Sequence, residues 1–376
     1  MRTEKHIISA PQSSARFELT AYRFGTPGSG RKAYIQAALH ADEVPGMLVA
    51  QFLRKQLEAL EAEGKVRGEI ILVPAANPIG LSQAIHGAPF GRFDLGTGVN
   101  FNRAYKHVAE ELKVALHGRL GADAEDNVRA IRRAALESVA AWQPRSDGEA
   151  HKKLLLEMAI DADIVLDLHC DNEAVLHIYA GTPLADPVAP LARLMGAHAV
   201  LLSTAAGGDP FDEACSRLWW DLQAHFGDAT PIPPACMAAT VELRGEMDVG
   251  YELAQQDANA LLRFLAGADV LAGEPDALPL PLPLALCAAT PLEGVEPLLA
   301  PHAGVLVYTR ALGERVRAGD ALADIIDPAS GAATTVRCTV DGVFFARSAH
   351  RHVLRGWNIG KVAGAQAFRS GDLLSQ

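Results

Sequence analysis

The sequence predicts an α/β protein followed by a small all-β domain. In the first 272 residues, short apolar runs alternate with longer segments of helical periodicity, an order typical of a sheet with helices on both faces. After residue 290, short strand-like runs follow one another with glycines between them, which is typical of a small β domain. The length of 376 residues is sufficient for two or three domains.

The elements of the α/β part are predicted in order from their apolar patterns. Apolar runs predict strands at 17–24, 32–39, 69–74, 163–169, 174–180 and 238–243. Helical periodicity predicts helices at 45–62 and 250–266, and two or three more in the Ala-rich segment 106–160. Pro45 suits the first turn of its helix. The segment 75–103 is rich in Gly, Asn and Pro, which predicts a long loop.

A change in composition marks the predicted domain boundary. We assign residues 1–272 to the α/β domain, 273–290 to a linker rich in proline and leucine, and 291–376 to the β domain. The glycine-turn pattern of the β domain resembles that of biotinyl and lipoyl carrier domains, which are barrel-sandwich hybrids. No lysine stands near the expected hairpin tip at 340–343, where a carrier needs one. We therefore predict a structural domain that shapes or covers the entrance to a site.

Composition and charge exclude several classes of function. The chain has 34 Lys and Arg against 45 Asp and Glu, a formal net charge of −11, which argues against a nucleic-acid partner. The most apolar run, 278–287, contains three prolines and is too short to span a bilayer, so no membrane partner is predicted. Five widely spaced cysteines, with no C-x-x-C pair, and an N-terminus without an apolar core predict a cytoplasmic protein.

Two short motifs place candidate metal ligands at predicted strand ends. In ALHADEVPG (38–46), His40 and Glu43 stand between a strand and a helix, and their spacing lets both reach one Zn²⁺ ion. In DLH (167–169), His169 ends another apolar strand, and Asp167 projects from the same strand face, where it could orient the imidazole. Strand ends meet at the crevice of an open α/β sheet, so His40, Glu43 and His169 form a candidate zinc set. Each of these residues alone also fits a structural role: an acidic side chain can cap a helix, and a histidine can be exposed to solvent.

Further candidate residues lie near these motifs in the predicted fold. Glu242, at the end of the strand in ATVELRG, could take a proton from zinc-bound water, or pair with Arg244 at the sheet edge. The Gly-rich stretch 91–103 carries Arg92, Asn102 and Arg103. Arginine binds a carboxylate through two parallel hydrogen bonds and asparagine adds a donor, so this loop could hold an acidic substrate. Surface arginines are the alternative.

The joint pattern of His40-Ala-Asp-Glu43, Asn102-Arg103, Asp167-Leu-His169 and Glu242 resembles the succinylglutamate desuccinylase/aspartoacylase family, relatives of the zinc carboxypeptidases. The resemblance covers about residues 30–265, and the C-terminal β region is similar to the small terminal domain of that family. It implies a zinc-carboxypeptidase-like mixed sheet flanked by helices. It also implies one zinc ion on His40, Glu43 and His169, with Glu242 as the general base.

The resemblance implies a role for each loop residue and a class of reaction. Asn102 and Arg103 are similar to the pair that binds the substrate carboxylate, and Arg92 to the arginine that polarises the scissile carbonyl. Here the spacing of Arg92 and Arg103 is longer than in the family, and Asn100 stands where the family has Asp. The implied activity is zinc-dependent hydrolysis of the amide bond of a small N-acyl amino acid. A metallocarboxypeptidase and a non-catalytic binding protein remain alternatives, and self-association into a homo-oligomer stays open.

Overall fold

A computed structural model of the chain describes residues 1–272, 282–371 and 373. Its strands up to residue 272 are β1 (Arg2–Ile7), β2 (Glu18–Gly25), β3 (Lys32–Ala37), β4 (Glu69–Val73), β5 (Ala84–Ile85), β6 (Ala88–Pro89), β7 (Ile164–Asp171), β8 (Glu173–Ala174), β9 (His177–Gly181), β10 (Ala199–Ser203) and β11 (Met237–Gly245). Its α-helices are α1 (Pro45–Ala62), α2 (Pro78–Leu81), α3 (Ala109–Ala115), α4 (Ala124–Ala141), α5 (Asp147–Ala159), α6 (Ala185–Met195), α7 (Phe211–Phe226) and α8 (Tyr251–Gly267).

The C-terminal part consists of short strands. They are β12 (Ala289–Pro291), β13 (Val295–Leu299), β14 (Gly304–Tyr308), β15 (Arg315–Val316), β16 (Ala321–Ile326), β17 (Ala333–Arg337), β18 (Gly342–Arg347), β19 (His352–Val353) and β20 (Asn358–Gly364). Short 3₁₀ helices occupy Thr182–Leu184 and Leu292–Gly294. The predicted fold class, a mixed α/β sheet with helices followed by a small β region, is confirmed.

The large sheet is mixed, with the strand order β1-β2-β4-β3-β7-β11-β9-β10-β12. Its centre is parallel: β3 pairs in parallel with β4 and β7, and β7 with β11. The outer strands β1 and β2 and the β9–β11 pair are antiparallel. Because β3, β7 and β11 are parallel neighbours, their carboxyl ends meet at one edge of the sheet, where open α/β sheets place their sites.

Two apolar cores cover the two faces of this sheet. In β3, Ala33, Ile35 and Ala37 face a core that also contains residues of α1, α6 and α8. Tyr34, between them in sequence, faces the opposite core, to which α3, α4, α5 and α7 contribute. This alternation follows from the two-residue period of a strand. Helices therefore bury both faces of the central strands, which explains why the strands read as continuous apolar runs.

The C-terminal strands form two small antiparallel sheets, β13-β20-β18-β15 and β17-β16-β14-β19. The first is joined to the α/β part, because β8, directly after β7, pairs with β18. A small core that includes Ala174, Leu201 and Phe345 lies at this junction. Of the predicted linker 273–290, residues 273–281 lie outside the described residues, and β12 begins at Ala289. The division at 272 and 290 stays a prediction.

The structure contains elements that the sequence analysis did not predict, namely β1, α6, β10 and α7. The N-terminal strand β1 alternates exposed and half-buried residues at the sheet edge, so it lacks the apolar run of a buried strand. The predicted loop 75–103 contains helix α2 and the hairpin β5–β6. Strand β3 ends at Ala37, two residues before the expected end. Within the described part of the chain, none of the helices has both the length and the apolar character needed to cross a bilayer.

Candidate active site

His40 and Glu43 lie in the turn between β3 and α1. The chain leaves β3 through Ala38, whose φ of 60° lies in the left-handed region that residues with a side chain rarely adopt. The Glu43 N–H then donates a hydrogen bond of 3.1 Å to the carbonyl of His40. Strained backbone of this kind clusters at functional sites. Both side chains are buried, at 3% and 4% exposure.

The three predicted ligands converge. His40 Nδ1 lies 2.8 Å from Glu43 Oε1, and His169 Nδ1 lies 2.7 Å from Glu43 Oε2. One ligand atom from each of the three residues lies within 4.8 Å of the others. The backbone N–H of Cys170 donates a hydrogen bond of 3.0 Å to Glu43 Oε2 and so helps to fix the carboxylate. Residues 126 positions apart in the chain thus form one buried cluster.

The far ring nitrogen of His40 is bound by Asn100, a residue to which the sequence analysis assigned no role. Asn100 Oδ1 lies 2.8 Å from His40 Nε2 and also accepts a hydrogen bond of 2.8 Å from the Asn102 N–H. Because the Asn102 N–H can only donate, the Asn100 atom that faces it must be the oxygen. His40 Nε2 must therefore carry the proton, which leaves Nδ1 with a free lone pair directed at the cluster. Partners of this kind orient metal-binding imidazoles.

Asp167 lies beside the far ring nitrogen of His169, just as Asn100 lies beside that of His40. The sequence predicts this place for Asp167. Its Oδ2 lies 3.0 Å from His169 Nε2, although the angle is outside the range of a hydrogen bond. Its Oδ1 accepts a hydrogen bond of 3.0 Å from the amide of Gln36 on β3. Both imidazoles therefore present Nδ1 to Glu43 and direct Nε2 to an oxygen of a neighbouring side chain.

This donor set fits a divalent zinc ion. Two imidazole nitrogens and a carboxylate, with an oxygen atom beside each far nitrogen, form the His₂Glu set of catalytic zinc sites. Burial raises the pKa of Glu43, but its electrostatic and hydrogen-bond contacts with His40 and His169 outweigh burial and hold that pKa well below its usual range. The carboxylate is therefore ionised, as a metal ligand must be. Burial, followed by the charge of Arg92, lowers the pKa of His40, which favours the neutral imidazole.

Glu242 lies beside His169 in the sheet. The two residues are register partners on β11 and β7, and on its other side Glu242 pairs with His177 of β9. Its Oε2 atom is buried and has no hydrogen-bond partner among the described residues. Burial, and next the negative charge of Glu43, raise the pKa of Glu242 to about 8. A carboxyl group with a raised pKa and an unpartnered oxygen, facing a metal-binding cluster, is suited to accept and return a proton.

A lysine from the C-terminal sheet reaches the same region. Lys361 on β20 donates a hydrogen bond of 2.5 Å to Asp171, two residues beyond His169 on β7. Burial raises the pKa of Asp171, but the charge of Lys361 and its hydrogen bond, together with His177, outweigh burial and hold that pKa below its usual range. The lysine charge also acts against the rise in the pKa of Glu242. The C-terminal strands therefore contribute to the electrostatics of the site.

The Gly-rich loop brings its candidate residues to the cluster. Arg92 Nη1 lies 3.1 Å from Glu43 Oε1, so the guanidinium borders the candidate ligands directly. Gly91 allows this approach, because a Cβ there would lie 2.4 Å from the backbone nitrogen of Asp42. Asn102 Oδ1 accepts a hydrogen bond of 2.9 Å from the N–H of Phe211 at the start of α7, which leaves its amide group as the donor. Arg103 Nη1 donates to the carbonyl of Asn102 at 2.6 Å.

All seven predicted site residues line one cavity of about 430 Å³. Its floor is the carboxyl edge of β7 and β11, and one wall comes from the C-terminal region, through Arg347, Lys361 and Arg369. The volume suits a small molecule rather than a folded partner. The structure therefore brings together every residue that the sequence pattern selected, and adds Asn100 and the C-terminal wall.

Comparisons with known proteins identify the family and the fold of this chain. The sequence profile described as the succinylglutamate desuccinylase/aspartoacylase catalytic domain matches residues 29–268. A succinylglutamate desuccinylase/aspartoacylase family protein from Shewanella amazonensis SB2B is 28% identical, with a TM-score of 0.81 over 96% of this chain and 98% of that one. A second, from Shewanella frigidimarina NCIMB 400, is 27% identical, with a TM-score of 0.82 over 96% and 97%.

More distant structures share the fold. The product-bound ectoine utilization protein EutE (DoeB) from Ruegeria pomeroyi is 17% identical, with a TM-score of 0.63 over 96% of this chain and 93% of that one. A search of curated proteins found no match.

Proposed function

Because this chain belongs to the succinylglutamate desuccinylase/aspartoacylase family, we propose that it is a zinc-dependent deacylase that cleaves the amide bond of an N-acyl amino acid or a related small N-acyl amine. One observation carries the proposal. His40, Glu43 and His169 bring their ligand atoms within 4.8 Å of one another, and Glu242 is the register neighbour of His169. A metal-binding cluster beside a proton acceptor is what hydrolysis of an amide requires.

The proposed chemistry divides between the ion and the side chains around it. Zinc held by His40, Glu43 and His169 supplies Lewis acidity and lowers the pKa of water. The water oxygen bonds to the acyl carbon, and Glu242 takes the proton that the water loses. The same carboxyl group then returns the proton to the nitrogen as the carbon–nitrogen bond breaks, so that a carboxylate and a free amine leave. Arg92 donates to the carbonyl oxygen as negative charge develops there.

The loop residues are proposed to select the substrate. The Asn102 amide and the Arg103 guanidinium bind the carboxylate of the amino acid, the arginine through two parallel hydrogen bonds. We propose a small-molecule substrate on the basis of the cavity volume of about 430 Å³. A reducing cytoplasm suits the five cysteines, which are all free thiols.

A substrate panel tests the proposal. Purified protein, loaded with zinc and checked by elemental analysis, is assayed for amine release from N-succinyl-L-glutamate, N-acetyl-L-aspartate, other N-acyl amino acids and short peptides. We expect turnover of at least one N-acyl amino acid and little turnover of the peptides. Preferential release of C-terminal residues from the peptides would make the chain a metallocarboxypeptidase. Full zinc loading without turnover of any of these compounds would refute the deacylase proposal.

A further inference from the structure

Lys152 is a buried lysine that lies behind the Gly-rich loop. It is on α5, at 5% exposure, whereas its neighbour Lys153 is partly exposed. Lysine is rarely buried without a charged partner, because the ammonium group loses its hydration. Lys152 nevertheless makes no ion pair among the described residues. Its contacts are carbonyl oxygens and the ring of Tyr105, whose centroid is 5.6 Å from Nζ.

Both carbonyl oxygens belong to the substrate loop. Lys152 Nζ donates a hydrogen bond of 2.6 Å to the carbonyl of Arg103, and the carbonyl of Asn100 lies 3.5 Å from it. The same two residues close the turn, because the Arg103 N–H donates to the Asn100 carbonyl at 3.1 Å. The ammonium group therefore fixes the backbone of a turn whose side chains include Asn100, Asn102 and Arg103. Burial lowers the pKa of Lys152 to about 8, which is the expected effect of removing its hydration.

The far end of this turn is fixed by other contacts. The Ala104 N–H donates to the Gly208 carbonyl at 2.8 Å, and the Tyr105 N–H to that of Asp209 at 3.0 Å. A Cβ at Gly208 would lie 2.8 Å from Cδ of Arg103, so the Arg103 side chain passes directly over this glycine. With the far end held in this way, the orientation of the peptide at Arg103 depends on what binds its carbonyl. That group is Lys152.

We propose that Lys152 is a positioning residue for substrate binding: its ammonium group holds the carbonyl of Arg103 so that the Arg103 side chain meets the carboxylate of the substrate. This inference rests on the proposed deacylase function. Lys152 itself touches neither the substrate nor the candidate metal ligands. Its loss should therefore weaken binding of the carboxylate while the hydrolytic step itself proceeds at nearly the same rate.

Lys152→Met removes the ammonium group and keeps most of the aliphatic chain. Lys153→Met is the matched control, since Lys153 also donates to two carbonyls, those of Ala140 and Trp142, both at 2.8 Å and away from the site. For the best N-acyl amino acid of the panel, we expect Lys152→Met to raise KM about tenfold and to change kcat less than about threefold. A second compound has the same acyl group on an amine that lacks the carboxylate, and its KM should stay unchanged. An equal rise for both compounds would mean a general loss of structure and would overturn the proposal.

A binding measurement separates this proposal from the deacylase function. Calorimetry measures the Kd of N-succinyl-L-glutamate and N-acetyl-L-aspartate for Glu242→Gln protein, with and without Lys152→Met. A Kd about tenfold higher with Lys152→Met supports the role. Equal Kd values overturn it alone, and a Glu242→Gln protein that binds no N-acyl amino acid of the panel overturns it together with the proposed function. If Lys152→Met does not fold, Lys152→Leu, which also lacks an N–H donor, is measured in its place with the same criteria.

Discussion

Asn100 makes the most specific prediction about the metal site. Its Oδ1 atom accepts two buried hydrogen bonds, from His40 Nε2 and from the Asn102 N–H, both 2.8 Å long. Asn100→Ala removes the acceptor for both. The imidazole of His40 then loses the partner that keeps Nδ1 unprotonated and directed at Glu43. We therefore expect weaker metal binding together with a less stable protein.

The size of both effects follows from these contacts. Loss of an oxygen that orients a metal-binding histidine lowers metal affinity about 10- to 100-fold, which is about 1.4–2.7 kcal/mol. Two buried N–H groups left without an acceptor cost about 1–3 kcal/mol each in the free energy of unfolding. Asn100→Asp keeps an acceptor oxygen for both hydrogen bonds, so it should bind metal more tightly than Asn100→Ala.

The assay is a zinc titration against a chelator of known affinity, with thermal unfolding measured on the same samples. Asn127→Ala is the matched control: Asn127 is 1% exposed and makes hydrogen bonds of 2.9–3.0 Å to Gly121 and Pro231, far from the site in the fold. It should lower the melting temperature and leave zinc affinity unchanged. If Asn100→Ala binds zinc as tightly as the wild-type chain, the argument about the protonated nitrogen is wrong.

Three further predictions concern other groups. Glu242→Gln should keep its zinc and lose about 10²- to 10⁴-fold in kcat; a zinc-loaded variant with nearly wild-type turnover would contradict its role as the base. His169→Ala should lower bound zinc, as read by elemental analysis, and unchanged zinc content would remove His169 from the ligand set. Burial, and next the charge of Asp212, raise the pKa of Glu213 from 4.5 to about 7 in the folded chain. The folded chain therefore holds the Glu213 proton more tightly than the unfolded chain does, and it loses stability as the pH rises through the range between these two pKa values. Glu213→Gln should therefore gain up to about 3 kcal/mol over the wild-type chain between pH 5 and pH 8 in denaturant unfolding, and a pH-independent difference would refute this.

Both the centre of the fold and the convergence of the candidate ligands can be predicted from the sequence, and for the same reason. β3, β7 and β11 are buried on both faces, so each one is a nearly continuous apolar run that is easy to find. A polar residue directly after such a run lies at the carboxyl edge of the sheet. Once the strands are parallel neighbours, His40, His169 and Glu242 have to be close together.

Side-chain partners chosen by packing could not be predicted in this way. Asn100 is one of two asparagines in the Gly-rich stretch 91–103, 60 residues from His40, and no spacing rule connects it with His40. Lys152 and Lys153 are neighbours on a helix and so point about 100° apart. The sequence does not reveal which of the two is buried, because that depends on how α5 packs against the loop at 100–103.

The C-terminal wall was only partly foreseen. The sequence indicates a domain that shapes the site entrance, and the cavity indeed has Arg347, Lys361 and Arg369 in its lining. The ion pair between Lys361 and Asp171 joins residues 190 positions apart. It depends on the two-residue strand β8, which is too short to produce a recognisable pattern.

The pairing of β8 with β18 has a consequence for how the chain melts and how it can be cut. Asp171, which faces Lys361, and Glu173, which binds Arg347 and Arg351, follow His169 within four residues. Separation of the C-terminal sheet would therefore disturb the very strand that carries a candidate ligand. The two halves should unfold together in a single cooperative transition, and a fragment that stops at residue 272 should lose activity even if it stays in solution.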